Sequence, residues 1–204
     1  MTATPIIVGL DVATRCGFCH GDGRVVPTAG HYEGLGAGDD LAPYFRAFRN
    51  WLVGMLTEQM RRAEASGTRV VVIFEAPVFP KPFLKTIPGR KPQIIQHASI
   101  KDRRRLYGLV SIVELVCGDL GISCFEASVG ELKKELAGRG DADKADMVRA
   151  ARRMGVAISK LPNGDDVHDE ADAVAAWKIG IRYYARQHLE RWDRALYSAA
   201  GALL

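Results

Sequence analysis

One short stretch, Pro5-Ile6-Ile7-Val8-Gly9-Leu10-Asp11, limits what this chain can fold into more than any other. An apolar run of this length, rich in β-branched residues, is the signature of a strand buried on both faces in the middle of a sheet. A charge in such a place needs a partner or a metal. Asp11 is therefore expected at the mouth of a rigid sheet, as a carboxylate held in a fixed position. The arrangement recurs at residues 70–74, a second apolar run that ends in Glu75. Far downstream, Asp169 and Asp172 open an apolar helix and, three residues apart, share one of its faces. Each acid alone reads equally as a solvated group at an element end, and the helix macrodipole favours acids in a first turn without any chemistry.

The rest of the chain organises itself around these points. Residues 16–20 and 24–32 read as two more strands, with Gly21-Asp22-Gly23 as a tight hairpin turn between them, giving an antiparallel meander. From Leu41, the positions of Tyr44, Phe45, Phe48, Leu52, Met55, Leu56 and Met60 predict a long amphipathic helix ending near Ser66-Gly67. Residues 77–92 hold five prolines and read as a loop. A helix is expected over 99–119, a short strand over 122–125, and a helix through Ala137 opened by the capping box Ser128-Val129-Gly130-Glu131. Further helices follow over 142–154 and 167–187, with an additional helical segment over 189–204. Strands interleaved with helices after a meander specify an α/β domain with a mixed sheet. Residues 1–188 form its body and 189–204 an extension.

Composition narrows the setting. The 204 residues are 48% apolar and 25% charged, as in an ordinary soluble domain. No apolar run approaches the roughly 18–20 residues of a membrane span, and no signal peptide is visible, so a cytoplasmic protein is expected. Four cysteines then read as free thiols. Cys16-Gly17-Phe18-Cys19-His20 matches a haem-attachment pattern formally, but strand alternation sends Cys16 and Cys19 to opposite faces. The net charge of +4 is unevenly spread. Residues 81–105 carry eight Lys/Arg against the single acid Asp102, which leaves the remainder slightly negative. Such a segment is a footprint for a polyanion, with Lys81, Lys85, Arg90, Lys91, Arg103, Arg104 and Arg105 as its contact residues. Arg103 to Arg105 read equally as a solvated helix face.

Taken together, Asp11, Glu75, Asp169 and Asp172 form an oxygen-only donor set, which selects hard cations such as Mg²⁺ or Mn²⁺ over zinc. Two such ions about 3.5–4 Å apart can hold a phosphodiester, activate water and stabilise the leaving oxygen. Beside a basic segment, that is the equipment of a nuclease. An actin-like ATPase also opens with a strand and Gly-x-Asp, but needs a second lobe with its own phosphate loop, which this chain lacks.

At this point a resemblance becomes specific. Ile7-Val8-Gly9-Leu10-Asp11, Phe74-Glu75 and Asp169-Glu170-Ala171-Asp172-Ala173 resemble the acidic set of RuvC-type Holliday-junction resolvases. Leu132-Lys133-Lys134-Glu135 followed by Gly138-Arg139-Gly140-Asp141-Ala142-Asp143-Lys144 is similar to that family's Lys-bearing helix, glycine turn and second Lys. The resemblance implies a ribonuclease-H-like fold, with a mixed five-stranded sheet flanked by helices on both faces. It implies two Mg²⁺ ions, replaceable by Mn²⁺, on Asp11, Glu75, Asp169 and Asp172, and Lys133 and Lys144 against the backbone near the scissile phosphate. It also implies a homodimer that nicks two strands of a four-way DNA junction symmetrically. The family's aromatic wedge follows the strand-end Glu. Here Phe79, offset by about one residue, takes that place, and the proline-rich loop is longer than usual. Activity on flaps, forks or other branched DNA, or a catalytically silent nucleic-acid-binding role, remains open on the same fold. His168, just before the acidic pair, reads as a polar surface residue or as a group acting on water.

Overall fold

The structure, a computed structural model, describes residues 4–34, 40–77, 83–85, 93–95 and 99–198. Five strands build the main sheet in the order β3-β2-β1-β4-β7: β1 (Ile6–Asp11), β2 (Arg15–Gly21), β3 (Thr28–Glu33), β4 (Val70–Glu75) and β7 (Ser123–Ala127). β1, β2 and β3 pair antiparallel, whereas β1, β4 and β7 run parallel. The sheet is therefore mixed and five-stranded, with β1 at its centre, as expected from a strand apolar on both sides.

Alternation along the strands divides the interior into two cores. Val8, Leu10 and Cys16, with Val70, Val72 and Phe74, face α1 (Leu41–Ala65) and α2 (Ile100–Asp119). Ile7, Cys19, Val71 and Ile73 face the opposite way, onto α5 (His168–Tyr184), with α3 (Val129–Ala137) and α4 (Lys144–Arg153) beyond it. Cys16 and Cys19 thus lie on opposite faces, and all four cysteines are free. The helices start where their caps dictate. Ser99 with Asp102, Ser128 with Glu131 and Asp143 with Asp146 each form a complete capping box, and Gly138 ends α3 in the left-handed conformation at φ 82°.

The long central helix α5 crosses β1 at unusually close range because glycines leave room for it. A Cβ on Gly9 would stand 2.3 Å from Ala173 O and Trp177 N, one on Gly17 would stand 1.9 Å from Asp169 O, and one on Gly180 would stand 2.3 Å from Ile7 Cγ2. This contact fixes the start of α5 against the ends of β1 and β2.

Three expectations need correction. The turn after β2 is not a tight hairpin at Gly21-Asp22-Gly23. The connection runs to Pro27, and β3 begins only at Thr28, since Pro27 cannot donate to the ladder. Asp22 Oδ1 accepts from Arg24 N at 3.0 Å to close the local turn, and Trp192 Nε1 donates to Gly23 O at 3.0 Å. The proline-rich stretch expected as a loop contains β5 (Phe83–Lys85), which pairs antiparallel with β6 (Gln93–Ile95). The last main helix stops at Tyr184, before a 3₁₀ turn (Arg186–His188) and α6 (Leu189–Ser198). Leu189 and Trp192 of α6 are buried in the α5-side core, and the Trp177 and Trp192 rings meet edge to face at 5.5 Å. No helix among the described residues is long and apolar enough to cross a membrane.

Candidate active site

Asp11, odd-numbered like Ile7 and Gly9, points to the α5 side of the sheet at the end of β1. Glu75 does the same at the end of β4, one step beyond the last registered pair, Leu10 with Phe74. The parallel pairing therefore presents two carboxylates side by side on one edge. The start of α5 is held over that edge and brings Asp172 to them. Carboxylate oxygens of Asp11, Glu75 and Asp172 all lie within 4.8 Å of one another.

The electrostatics follow from this crowding. Burial pushes the Asp11 carboxyl well above its usual range, with Glu75, Asp172 and Asp169 adding to the rise and the Lys144 ammonium opposing it. Glu75 is pushed up to about 7, by burial and then by Asp172, with Lys133 the opposing charge. Asp172 rises to about 6, through burial and Asp169, against Lys144 and Lys133. Three carboxylates this close cannot all carry charge cheaply in a half-buried site. A divalent cation would supply the missing counter-charge, and the all-oxygen donors of Asp11, Glu75 and Asp172 could hold a hard ion.

The fourth expected acid stands apart. Asp169 raises its three neighbours electrostatically, yet it falls outside their close cluster. Its Oδ2 lies 3.7 Å from Arg15 Nη1, and Arg15 Nε lies 3.3 Å from Glu33 Oε1. Lys133 and Lys144, on different helices, both bear on the carboxylates, as their opposing effects record. His168 begins α5 half-buried, and its Nδ1 is shielded from solvent without a hydrogen-bond partner. Of the basic residues, Arg104 is exposed and lines a cleft with Lys101, Phe45 and Ile100. Arg105 is partly committed to structure, 3.8 Å from Asp102 and 5.8 Å above the Tyr44 ring, and Arg103 is half-buried. Phe79, Lys81, Arg90 and Lys91 lie outside the described residues, and Lys85 is described only as backbone within β5.

Sequence reasoning passed over Glu170. It is fully buried and accepts from Ser159 N at 2.7 Å, while its Oε1 lies 2.7 Å from His31 Nδ1. It stands between the two site acids and ties the start of α5 to β3 and to the segment before the helix. A signal was there: Glu170 falls on the stripe of Ala173 and Val174, the apolar face of its helix. Arg15, His31 and Glu33 carry no such signal, because only strand pairing and the helix crossing bring them together.

No protein-family model and no curated protein matches the sequence. Solved structures do. The chain is similar to Thermus thermophilus RuvC, at 17% identity and a TM-score of 0.57, over 89% of this chain and 96% of that one. It is also similar to T. thermophilus RuvC in complex with a Holliday junction substrate, at 16% identity and a TM-score of 0.59, over 91% and 97%. The protein therefore has the fold of RuvC, a ribonuclease-H-like α/β architecture, along nearly its whole length.

Proposed function

We propose that this protein is a Mg²⁺-dependent endonuclease that resolves four-way DNA junctions by paired, symmetric nicks. The observation that carries the reading is the meeting of Asp11, Glu75 and Asp172 within 4.8 Å, at the strand ends of this fold, with two lysines bearing on them. Asp11, Glu75, Asp172 and Asp169 would hold two cations, Mg²⁺ or a substituting Mn²⁺. Bound there, the ions would activate water and stabilise the leaving oxygen of a phosphodiester. Lys133 and Lys144 approach from separate helices and would hold the phosphate backbone over the carboxylates, offsetting the repulsion between acid and phosphate. Arg103, Arg104 and Arg105, with Phe79, Lys81, Lys85, Arg90 and Lys91, would line the DNA path. His168 would be positioned to hydrogen-bond water at the rim. The likeness to a RuvC bound to a Holliday junction supports the choice of a branched substrate.

Two symmetric nicks require two such sites, and a twofold homodimer supplies the second with the right symmetry. A second copy would pack on α2, but its Leu109, Val110, Val113 and Val116 are buried within the chain's own core, so they are not free to pair. The outward face of α2, with Tyr107 and Leu115 exposed by 54% and 57%, is the surface left for a second copy. Residues 1–188 would carry the nuclease and 189–204 form its extension, of which Leu189 and Trp192 pack into the α5-side core. Free thiols agree with a cytoplasmic setting.

The test compares four-way junction, flap, fork and linear duplex, each with Mg²⁺ and with EDTA. Mg²⁺-dependent cutting of the junction, faster than of the other three, is expected. A preference for flaps or forks would move the substrate assignment within the same chemistry, and cutting in EDTA would overturn the metal-dependent reading.

A further inference from the structure

Asp169 and Glu170 are adjacent on α5, and a chain of polar contacts through Arg15, Glu33 and His31 closes a loop between them. Asp169 Oδ2 is 3.7 Å from Arg15 Nη1, Arg15 Nε is 3.3 Å from Glu33 Oε1, that same oxygen is 3.8 Å from His31 Nε2, and His31 Nδ1 is 2.7 Å from Glu170 Oε1. The two ends differ. Glu170 is fully buried and also holds Ser159 N, so it is an anchor. The Asp169 and Arg15 side chains are 26% and 33% exposed, so theirs is the link free to exchange partners. Asp169 is also the one expected ligand that lies outside the close carboxylate cluster.

We infer that Arg15 is a positioning residue that holds Asp169 back from the other three carboxylates, so that the site binds one divalent cation more weakly than the other. The stronger site is formed by Asp11, Glu75 and Asp172, which already converge. The weaker one needs Asp169, whose carboxylate a guanidinium occupies, and the cation must compete with it. Glu33 sets the terms of that competition, because it shares Arg15 with Asp169. With Glu33 neutral, Arg15 has Asp169 as its remaining carboxylate partner and holds it harder. The inference rests on the metal-site reading above.

The experiment is a Mn²⁺ titration of the whole protein without DNA, with free ion read by electron paramagnetic resonance. Wild type is expected to bind two ions with separated affinities. Arg15→Gln should tighten the weaker one by about fivefold, the scale of a partly exposed ion pair, and Glu33→Gln should weaken it. Arg15→Lys should restore most of the wild-type separation. In the Arg15→Gln background, Glu33→Gln should lose its effect, because the two act through one another. Two ions bound with the weaker affinity unchanged in Arg15→Gln would overturn this inference while leaving the metal site standing. An equal effect of Glu33→Gln in both backgrounds would also overturn it, by showing a through-space field instead of a shared guanidinium. Absence of any saturable Mn²⁺ binding would overturn the metal-site reading and this inference with it. Melting temperatures in EDTA identify any variant that has failed to fold.

Discussion

Glu75 and Asp172 give the site a pH signature of known sign. Their carboxyls titrate near 7 and 6, above the usual range near 4. Between those values the folded protein holds protons that the unfolded chain has released, so the stability of the metal-free protein falls as pH rises through that window. His20, lowered by burial, acts in the opposite direction, and a comparison with Glu75→Gln cancels its contribution. In EDTA, Glu75→Gln is therefore expected to gain in melting temperature over wild type as pH goes from 5 to 8, and saturating Mg²⁺ should abolish that gain. A difference independent of pH would contradict the crowding described for the site. Glu170 calls for a different test. Glu170 is fully buried, and its removal takes away the acceptor of Ser159 N–H and the partner of the His31 ring, so Glu170→Ala should cost about 2 kcal/mol in urea denaturation. A cost below about 0.5 kcal/mol would mean that α5 is not anchored there.

At the scale of elements, the crossing of α5 over β1 and β2 decides where the acids stand. Gly17→Ala puts a methyl on the Asp169 carbonyl, where backbone and not a flexible side chain must move. We expect it to cost about 1–3 kcal/mol, the range for overpacking a close contact, and to weaken Mn²⁺ binding. Gly118→Ala, inside α2 and meeting nothing within 4 Å, serves as the control without a clash and should be level with wild type or slightly more stable. Equal behaviour of the two variants would contradict the close crossing. Much of this arrangement is legible in the sequence, because strand burial and helix periodicity are local properties. β1 and β4 ending in acids, α5 opening with two more, and the capping box at Ser128 can all be read from neighbours in the chain. The longer connection after β2 is not legible. It depends on Trp192 and Arg191, which reach back to Gly23 and Arg24 from more than 160 residues away. The Asp143 box is less legible although its Asp146 stands at the right spacing, because Asp replaces the usual Glu or Gln. The Arg15–Asp169 contact is set by strand register and helix crossing together, so no stretch of sequence records it.

For the whole molecule, the surfaces away from the site carry the remaining claims. Sedimentation at low micromolar concentration should find a dimer, and Tyr107→Glu with Leu115→Glu should dissociate it while leaving the fold intact. A monomeric wild type that still makes both nicks in one binding event would contradict the twofold arrangement. Replacing Arg103, Arg104 and Arg105 by Ala should flatten the salt dependence of junction binding, by a log–log slope of up to about 1 per lost phosphate contact. Because Arg105 also sits over Tyr44, the full change of three is not expected. The most direct measurement sets wild type beside Asp11→Asn on one labelled four-way junction, with binding measured in EDTA and cleavage in Mg²⁺. Asn keeps the shape at the end of β1 and removes one charge from the carboxylate cluster. Equal binding, paired nicks by wild type and no cutting by Asp11→Asn are expected. Asp11→Asn cutting at the wild-type rate would contradict the assignment of the carboxylate cluster as the catalytic metal site.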